Sequence, residues 1–466
     1  MNSTLLLIFY FLLLVCGAFV AMIAGRLPFD GSLPWFASTF VIGAALALIG
    51  RRWGRGVLLL AVPLSVLTAH SLQQKFLPLS VDAPDFRRAN PVAQPVEVFR
   101  SIREQLLPLR PVLLEGADQR LAGLELELAQ GLSIAVVAAS LPGASSLTTD
   151  DRGALYVSAP EFGLIYRLLD ENGDGLFEQR SVFCRDLEQP MGIGWHDGTL
   201  LVATRTALLC LRDDDGNGVV DGREVVASDL PAASAGELRS VLAAEDGVYV
   251  SIAGRHGEGV GNDWREASIL KIYPQGKTEL FAGGIHQCRG LARHPLSGSL
   301  WGSDDSPESL DFSSRPDEIN VLFAHQDYGW PFCYGNRKPD QKLGTVEICQ
   351  ATRPALLTLL PHAVPGALVF GYPLMGAEVY RHMLYVVLEG RGDDPQRQGF
   401  RLVGMPLAAD GRALGWSVDL VRGWASPEGE KIDGMPTGVT ALGHALYVSD
   451  RQNGAIYRIV IPPAVQ

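Results

Sequence analysis

A short strand signal rich in β-branched and aromatic residues recurs six times along this chain, and that recurrence restricts the fold more than any other feature. The anchors are Leu155-Tyr156-Val157, Leu200-Leu201-Val202, Val248-Tyr249-Val250, Ser299-Leu300-Trp301, Leu384-Tyr385-Val386 and Leu446-Tyr447-Val448. Each is followed by a second apolar strand: GLIYRLLD at 163, LLCLRD at 208, SILKIY at 268, DEINVL at 317, GFRLVG at 399 and GAIYRI at 454. Successive anchors lie 45, 48, 51, 85 and 62 residues apart. Turn, strand, turn, strand at a period of about 45 residues is the mark of a propeller blade with four antiparallel strands. Six anchors predict six blades, hence an all-β six-bladed propeller. No long amphipathic helix interrupts the pattern, which argues against an α/β sheet. The widest spacing predicts a long insertion in or after the fourth blade. Leu124–Val137 alternates apolar and polar residues, and a strand there would complete the last blade and remove the open sheet edges.

Ahead of the repeats the composition changes. Residues 1–80 carry only Arg26, Asp30, Arg51, Arg52, Arg55 and Lys75, a net of +4 in a chain whose total is -12. The rest is therefore acidic, which excludes nucleic acid as a partner, because phosphate binding needs a basic face. Three apolar runs (within residues 1–25, 31–50 and 56–74) are each long enough to cross a bilayer as a helix. They predict a three-helix membrane anchor over residues 1–74. The first run lacks the basic start of a cleaved signal. Arg51, Arg52 and Arg55 separate spans two and three, so the positive-inside rule puts that loop and the N-terminus in the cytoplasm. The propeller is then expected on the periplasmic side of an inner membrane, with membrane lipid as a partner. His70 in span three raises the further expectation of a contact with ubiquinone. Residues 75–123 hold six prolines and read as a linker with one short helix near Val96–Leu107. The propeller is assigned to residues 124–466.

Of the six cysteines, Cys333 and Cys349 bracket the insertion, and in an oxidising compartment a disulfide between them is expected. Cys184 and Cys210 are a second candidate pair, or two buried thiols. Two acidic connections read as calcium loops. Asp170, Asn172, Asp174 and Glu178 place oxygens at positions 1, 3, 5 and 9 of one, with Gly175 at position 6. Asp213, Asp215, Asn217 and Asp221 repeat the pattern, and Glu224 stands at position 12. Alternate oxygens around a glycine turn suit hard Ca²⁺. The same residues also suit a solvated turn bonded to itself.

The segment Pro316-Asp317-Glu318-Ile319-Asn320 through Tyr328-Gly329-Trp330-Pro331-Phe332-Cys333-Tyr334-Gly335 resembles the quinoprotein sugar dehydrogenases, especially their sorbosone dehydrogenase branch. The likeness extends over most of residues 124–462 and includes Gly290-Leu291-Ala292-Arg293-His294-Pro295, Pro361-His362-Ala363-Val364-Pro365 and the closing Leu446-Tyr447-Val448-Ser449-Asp450. It implies a six-bladed propeller holding pyrroloquinoline quinone with Ca²⁺ over its axis. A small-molecule sugar or aldehyde is oxidised there, and electrons go to the respiratory chain. Carried over residue by residue, Asp317 matches the acid that supports the site. The carbonyls of Asp304-Asp305-Ser306-Pro307 fall near the cofactor calcium. His286 and Gln287 replace an Arg-Asn pair that grips the quinone. Tyr328 and Trp330 are implied cofactor neighbours. Gly236 stands where the family has its catalytic histidine, and Met435 where relatives often have arginine. The base is then His286, His256 or Glu237.

Two alternatives follow from those replacements. One is a catalytically inactive periplasmic propeller that binds a glycan or protein partner. The other is a metal-dependent lactonase or hydrolase, which needs carboxylates clustered about the axis.

Overall fold

The computed structural model describes residues 102–463, apart from 103–104, 113, 120, 234–236, 255–262, 308–314, 373–376, 393–397, 409 and 427–430. The three apolar runs of residues 1–74 lie outside the described residues, and so do Gly236 and His256. Among the described residues no helix is long and apolar enough to cross a membrane.

Six antiparallel sheets follow one another in chain order, and the innermost strand of each faces the innermost strand of the next. Those inner strands are Leu147–Thr149, Ile193–His196, Val241–Ala244, Leu291–Arg293, Pro365–Phe370 and Pro436–Leu442, and the last returns to the first. The six-bladed all-β propeller expected from the repeats is therefore what the chain forms. Each anchor is the second strand of its blade, buried on both faces between neighbouring sheets, as in Leu155–Ala159 and Met383–Leu388. This double burial is why the anchors read as continuous apolar runs.

Closure comes from the N-terminal side. Ser133–Ala138 pairs antiparallel with Ala455–Val460 and completes blade 6. The expected strand Leu124–Val137 is split, and its first half, Leu126–Leu128, joins blade 5 beside Val418–Arg422. Arg110–Val112 adds one more strand there. Part of the segment read as linker is thus laid against the propeller wall, with Leu106 and Leu121 fully buried.

The insertion lies between the third and fourth strands of blade 4. It leaves Glu318–Leu322, climbs the outer edge of blade 3 as the parallel pair Gln326–Asp327 with Ala282 and Gly283, and reaches the opposite rim at Trp330. A small hairpin and the helix Val346–Ala351 follow. The Cys333–Cys349 disulfide ties them together, as the sequence led one to expect. Cys184 and Cys210 are not paired: they lie in strands of different blades, and both are free thiols.

One repeated serine staples neighbouring blades. Three residues after the leading Leu or Val of four anchors stand Ser158, Ser251, Ser303 and Ser449. Each hydroxyl accepts an N–H in or just before the innermost strand of its own blade, from Ser146, Ser240, Gly290 and Gly438 respectively. Three of them also donate to a carbonyl of the next blade: Ser158 to Met191 at 2.8 Å, Ser303 to Gly366 at 3.1 Å, and Ser449 to Ser145 across the closure. Ser303→Ala removes both bonds from a buried site. It is expected to cost about 1–3 kcal/mol in urea unfolding, because a buried partner is left unsatisfied. A change under about 0.5 kcal/mol, the size of an ordinary surface substitution, would show that the staple carries no load.

Candidate functional site

Links from the second to the third strand of a blade, and from one blade to the next, open on the same face of a propeller. Links within the other strand pairs open on the opposite face. His286, Gln287, Asp304, Asp305, Ser306, Asp317 and Glu237 all fall on the first face. Both acidic loops fall on the second, between Leu164–Leu169 and Gln179–Cys184 and between Leu208–Arg212 and Gly222–Ala227. Any cation in those loops is therefore not the metal of a site at the hub.

The hub site is built by the link entering blade 4 and by the turn between that blade's second and third strands. The Asp304 carboxylate accepts the backbone N–H groups of His286 at 3.2 Å and Gln287 at 2.8 Å, which fixes the link. Asp305 N–H donates to the Gln287 carbonyl at 3.0 Å. His286 Nδ1 lies 2.7 Å from the Asp305 carbonyl oxygen, which can only accept. In the neutral ring Nδ1 then carries the proton and Nε2 is the basic nitrogen. The ring meets the edge of Trp330, with centroids 4.5 Å apart. Gly254 backs the pair: a Cβ there would sit 2.8 Å from Trp330 Nε1 and 3.4 Å from His286 Cδ2. A pocket opens beside them, lined by His286, Ser306, Arg315, Glu318, Trp330 and Tyr334.

Asp317 is fully buried and ties two blades together. Its carboxylate accepts Ser306 N–H at 2.8 Å and Val364 N–H at 2.9 Å. Val364 has φ 51°, a left-handed backbone unusual for a β-branched residue. Asp317 thus braces Ser306 and Val364, and it is not among the residues that line the pocket. Burial, reinforced by Asp305, raises its pKa well above the usual carboxylate range. Asp304 is raised in the same way by burial and by Glu318, its partner across the ladder. Glu318 is pushed up by burial to about 7, against the opposing bonds from Gly335 N–H and the Asn320 amide.

Around the axis the repeats bring one further position together. Five residues after the leading Leu or Val of the anchors stand Pro160, Arg205, Ala253, Asp305, Glu389 and Arg451. Arg289 threads between two of these: its Nε is 3.2 Å from Asp305 Oδ2 and its Nη1 is 3.6 Å from Glu389 Oε2. Burial opposes the Arg289 charge, but Glu389 and Asp305 outweigh it and hold its pKa above the ordinary value. Burial likewise raises the Glu389 carboxyl, with Arg289 and Arg451 opposing. Arg451 donates from Nη2 to Met435 Sδ at 3.0 Å. Oriented with its amide oxygen inward, Gln287 accepts from Arg289 Nη2 and from Leu238 N–H, both at 3.2 Å. The sequence reading did not single out Arg289, Glu389 or Arg451. Their signal was available as a fixed offset from the repeat.

The remaining expected site residues are placed as follows. Tyr328 is buried; its hydroxyl donates to the Val321 carbonyl and accepts Phe323 N–H at 2.9 Å, so it locks a strand. Glu237 is buried on the same face, next to Leu238. It opposes the fall of the Arg239 pKa to about 10, a fall that burial causes. In the first acidic loop the carboxylates of Asp170, Asp174 and Glu178 come within 4.8 Å of one another, and in the second those of Asp213, Asp215 and Asp221 do. Asn172 accepts Asp174 N–H at 2.8 Å, and Asn217 accepts Val219 N–H at 2.8 Å, so both amides also serve the turn itself. Glu224 stands apart: the chain enters the strand Gly222–Ala227 first and puts Glu224 opposite Cys210.

Residues 125–313 match a family described as a domain of unknown function (DUF7133). An uncharacterized protein of Borreliella burgdorferi is 24% identical over 200 residues, 42% of this chain. The chain spans about half, 52%, of that curated relative. Solved structures are similar over most of the propeller. The PQQ domain of pyranose dehydrogenase from Coprinopsis cinerea, in its holo form, is 18% identical with a TM-score of 0.62, covering 74% of this chain and 99% of that one. A calcium structure of the family AA12 carbohydrate-active enzyme of Trichoderma reesei gives 16%, 0.61, 71% and 96%. The PQQ-bound aldose sugar dehydrogenase of Streptomyces coelicolor gives 16%, 0.52, 71% and 98%. At these identities the likeness shows the fold, and residues 125–463 have the six-bladed propeller fold that PQQ-dependent sugar dehydrogenases share.

Proposed function

We propose that the chain is an oxidoreductase of sugars or aldehydes that works with pyrroloquinoline quinone and Ca²⁺ at the hub. The observation that carries this reading is the meeting of a buried His286, backed by Trp330, with a rim of both charge signs on one face of the wheel. The donor chemistry of the hub fits the group. Arg289, Arg451 and Gln287 offer donors to its carboxylates, and Asp305 and Ser306 offer oxygen to a divalent cation. Gly254 lets Trp330 and His286 pack close against its backbone, and the pocket opens beside that edge-to-face pair. When bound, the quinone supplies the two-electron acceptor, with its carbonyl polarised by the metal.

The chain's own part is to hold and to accept a proton. His286 Nε2 takes the proton of a substrate hydroxyl, with the ring oriented through Nδ1 by Asp305. Trp330, Cys333 and Tyr334 of the disulfide-bonded insertion line one side of the pocket. On the same reading residues 1–74 anchor the chain in the inner membrane with the propeller periplasmic, and electrons leave toward ubiquinone in the lipid. The hub carboxylates are mostly engaged by the chain itself, Asp305 and Glu389 with Arg289 and Asp304 and Asp317 with backbone N–H groups, which favours this reading over a hydrolase.

The test is uptake of the quinone with Ca²⁺ by the purified full chain, read as bound absorbance, followed by dye reduction with a panel of aldoses. His286→Gln is expected to keep uptake and to lose about 10²–10⁴-fold in turnover, the usual contribution of a positioned base. No uptake at micromolar cofactor overturns the proposal and leaves the inactive glycan- or protein-binding propeller.

A further inference from the structure

Of the charged residues that the repeat brings around the axis, Arg451 alone has no ion partner among the described residues. Arg205 is held by Glu188 at 2.9 Å, and Asp305 and Glu389 share Arg289. Arg451 follows the second strand of blade 6, Ala445–Asp450, and its backbone N–H donates to the Met435 carbonyl at 2.9 Å. Met435 is itself fixed: its N–H donates to Asp450 Oδ1 at 2.9 Å, and its carbonyl also accepts the Thr437 hydroxyl at 3.1 Å. On that base the guanidinium rests against the thioether, with Nη2 3.0 Å from Met435 Sδ. A thioether is a weak acceptor and engages one of the five N–H donors of an arginine. The guanidinium makes no other hydrogen bond among the described residues. Arg451 and Met435 are both partly exposed, and no guanidinium nitrogen of Arg451 is sealed away without a partner, so the spare donors reach solvent. The charge also acts on Glu389 of the neighbouring blade, as expected of a group at the hub and not on the outer wall. A planar fork of donors, fixed in place and carrying an unneutralised charge, matches a carboxylate, which it takes with two parallel bonds.

We propose that Arg451, seated on Met435, binds the carboxylate of a ligand at the hub, so that acidic ligands are taken in preference to neutral ones of the same shape. This rests on the reading that the hub receives a ligand, and deepens it by naming the ligand group and the residue that meets it. The carboxylate has two possible sources: a sugar acid (an aldonate or a uronate) as substrate, or the quinone, which carries carboxylates of its own. Both present the same chemistry to the guanidinium. A neutral sugar gains nothing from this charge. Met435 seats the guanidinium without neutralising it, which an acid at position 435 would do. The two hub acids do not cancel the attraction, because Arg289 is already their shared counter-charge.

The experiment is binding to the purified full chain. D-gluconate, D-glucuronate and neutral D-glucose are measured by calorimetry without quinone, and pyrroloquinoline quinone with Ca²⁺ is measured separately by its bound absorbance. Each is tested on the wild type, on Arg451→Gln, and on Arg451→Met combined with Met435→Arg. The double variant returns a guanidinium to the same spot from the other side of the 3.0 Å contact. At least one of the three carboxylates is expected to bind the wild type, to weaken at least about tenfold in Arg451→Gln, the scale of a lost charge-assisted hydrogen bond, and to recover in the double variant. The Tm of every variant is expected to stay within a few degrees of the wild type. A response of the sugar acids supports the proposal with an acidic substrate, and a response of the quinone supports it with the cofactor. Equal affinity of the wild type and Arg451→Gln for every carboxylate overturns the proposal, as does a wild type that binds none of them. A loss for D-glucose as large as for the sugar acids overturns it too, because charge is then not what is recognised. Loss of binding in step with a large fall in Tm overturns it and leaves Arg451 a strut between blades 5 and 6. If the quinone is taken up equally by the wild type and Arg451→Gln while the sugar acids do not bind, this inference falls and the oxidoreductase reading stands. If quinone uptake fails while a sugar acid obeys Arg451, the oxidoreductase reading falls and this inference stands.

Discussion

Arg289→Met is expected to destabilise the propeller by about 3–5 kcal/mol, the range for removing one partner from a buried ion group. The guanidinium is the shared counter-charge of Asp305 and Glu389, and their side chains are 8% and 4% exposed. Without it both carboxylates stay buried and repel each other, and Gln287 loses the donor that links this cluster to Leu238. Urea unfolding of the variant measures the loss. A second variant separates charge from packing. Arg289→Met combined with Asp305→Asn and Glu389→Gln is expected to recover at least half of the loss, because no uncompensated charge remains. A loss below about 1 kcal/mol in the single variant, the net worth of one ordinary hydrogen bond, would mean that the cluster is not a mutual charge cage.

Stability is expected to fall as pH rises between about 4.5 and 7. Glu318 has an ordinary carboxyl value of 4.5 when unfolded and about 7 when buried in the folded chain. Between those values the folded state binds the proton and the unfolded state does not. The contribution is therefore fully present below 4.5 and lost as pH passes 7. At about 1.4 kcal/mol per pKa unit, this one group contributes up to about 3 kcal/mol, an upper bound for a site next to a second acid. Asp304 and Asp317 are raised in the same direction, so they extend the decline and do not cancel it. Chemical unfolding at pH 5, 6, 7 and 8 in chelator checks the slope. Glu318→Gln keeps an acceptor for Gly335 N–H, cannot ionise, and is expected to flatten the profile across this window. A wild-type profile that rises from pH 5 to 7 contradicts the burial of this carboxyl as a proton-holding group.

The wheel was legible in the sequence because its signal is periodic. Six anchors mark six second strands, each sandwiched between neighbouring sheets, so burial on both faces wrote itself as Leu-Tyr-Val. The Cys333–Cys349 bridge was legible because one insertion contains both ends. Local pattern could not distinguish the two halves of Leu124–Val137. Both alternate, yet one closes blade 6 and the other widens blade 5, a choice set by partners hundreds of residues away. His286 and Trp330 were found through resemblance, and the fold brings them edge to face. Glu389 and Arg451 were missed because neither belongs to a motif. They become neighbours through an offset that every blade repeats, and a charged residue just after a buried strand looks like any solvated turn. The acidic loops show the reverse. Their pattern was conspicuous in the sequence, but strand order puts them on the face away from the hub.

Because the strand that seals the wheel is supplied by Ser133–Ala138 while its partner is Ala455–Val460, the order of synthesis matters. The early strand emerges from the ribosome with no mate, and every other blade must be made before one arrives. Throughout that interval the nascent chain carries an unclosed edge at each end of a growing crescent. A chain arrested or truncated short of Ala455 is left with those edges open, exposed to pairing with another copy of itself.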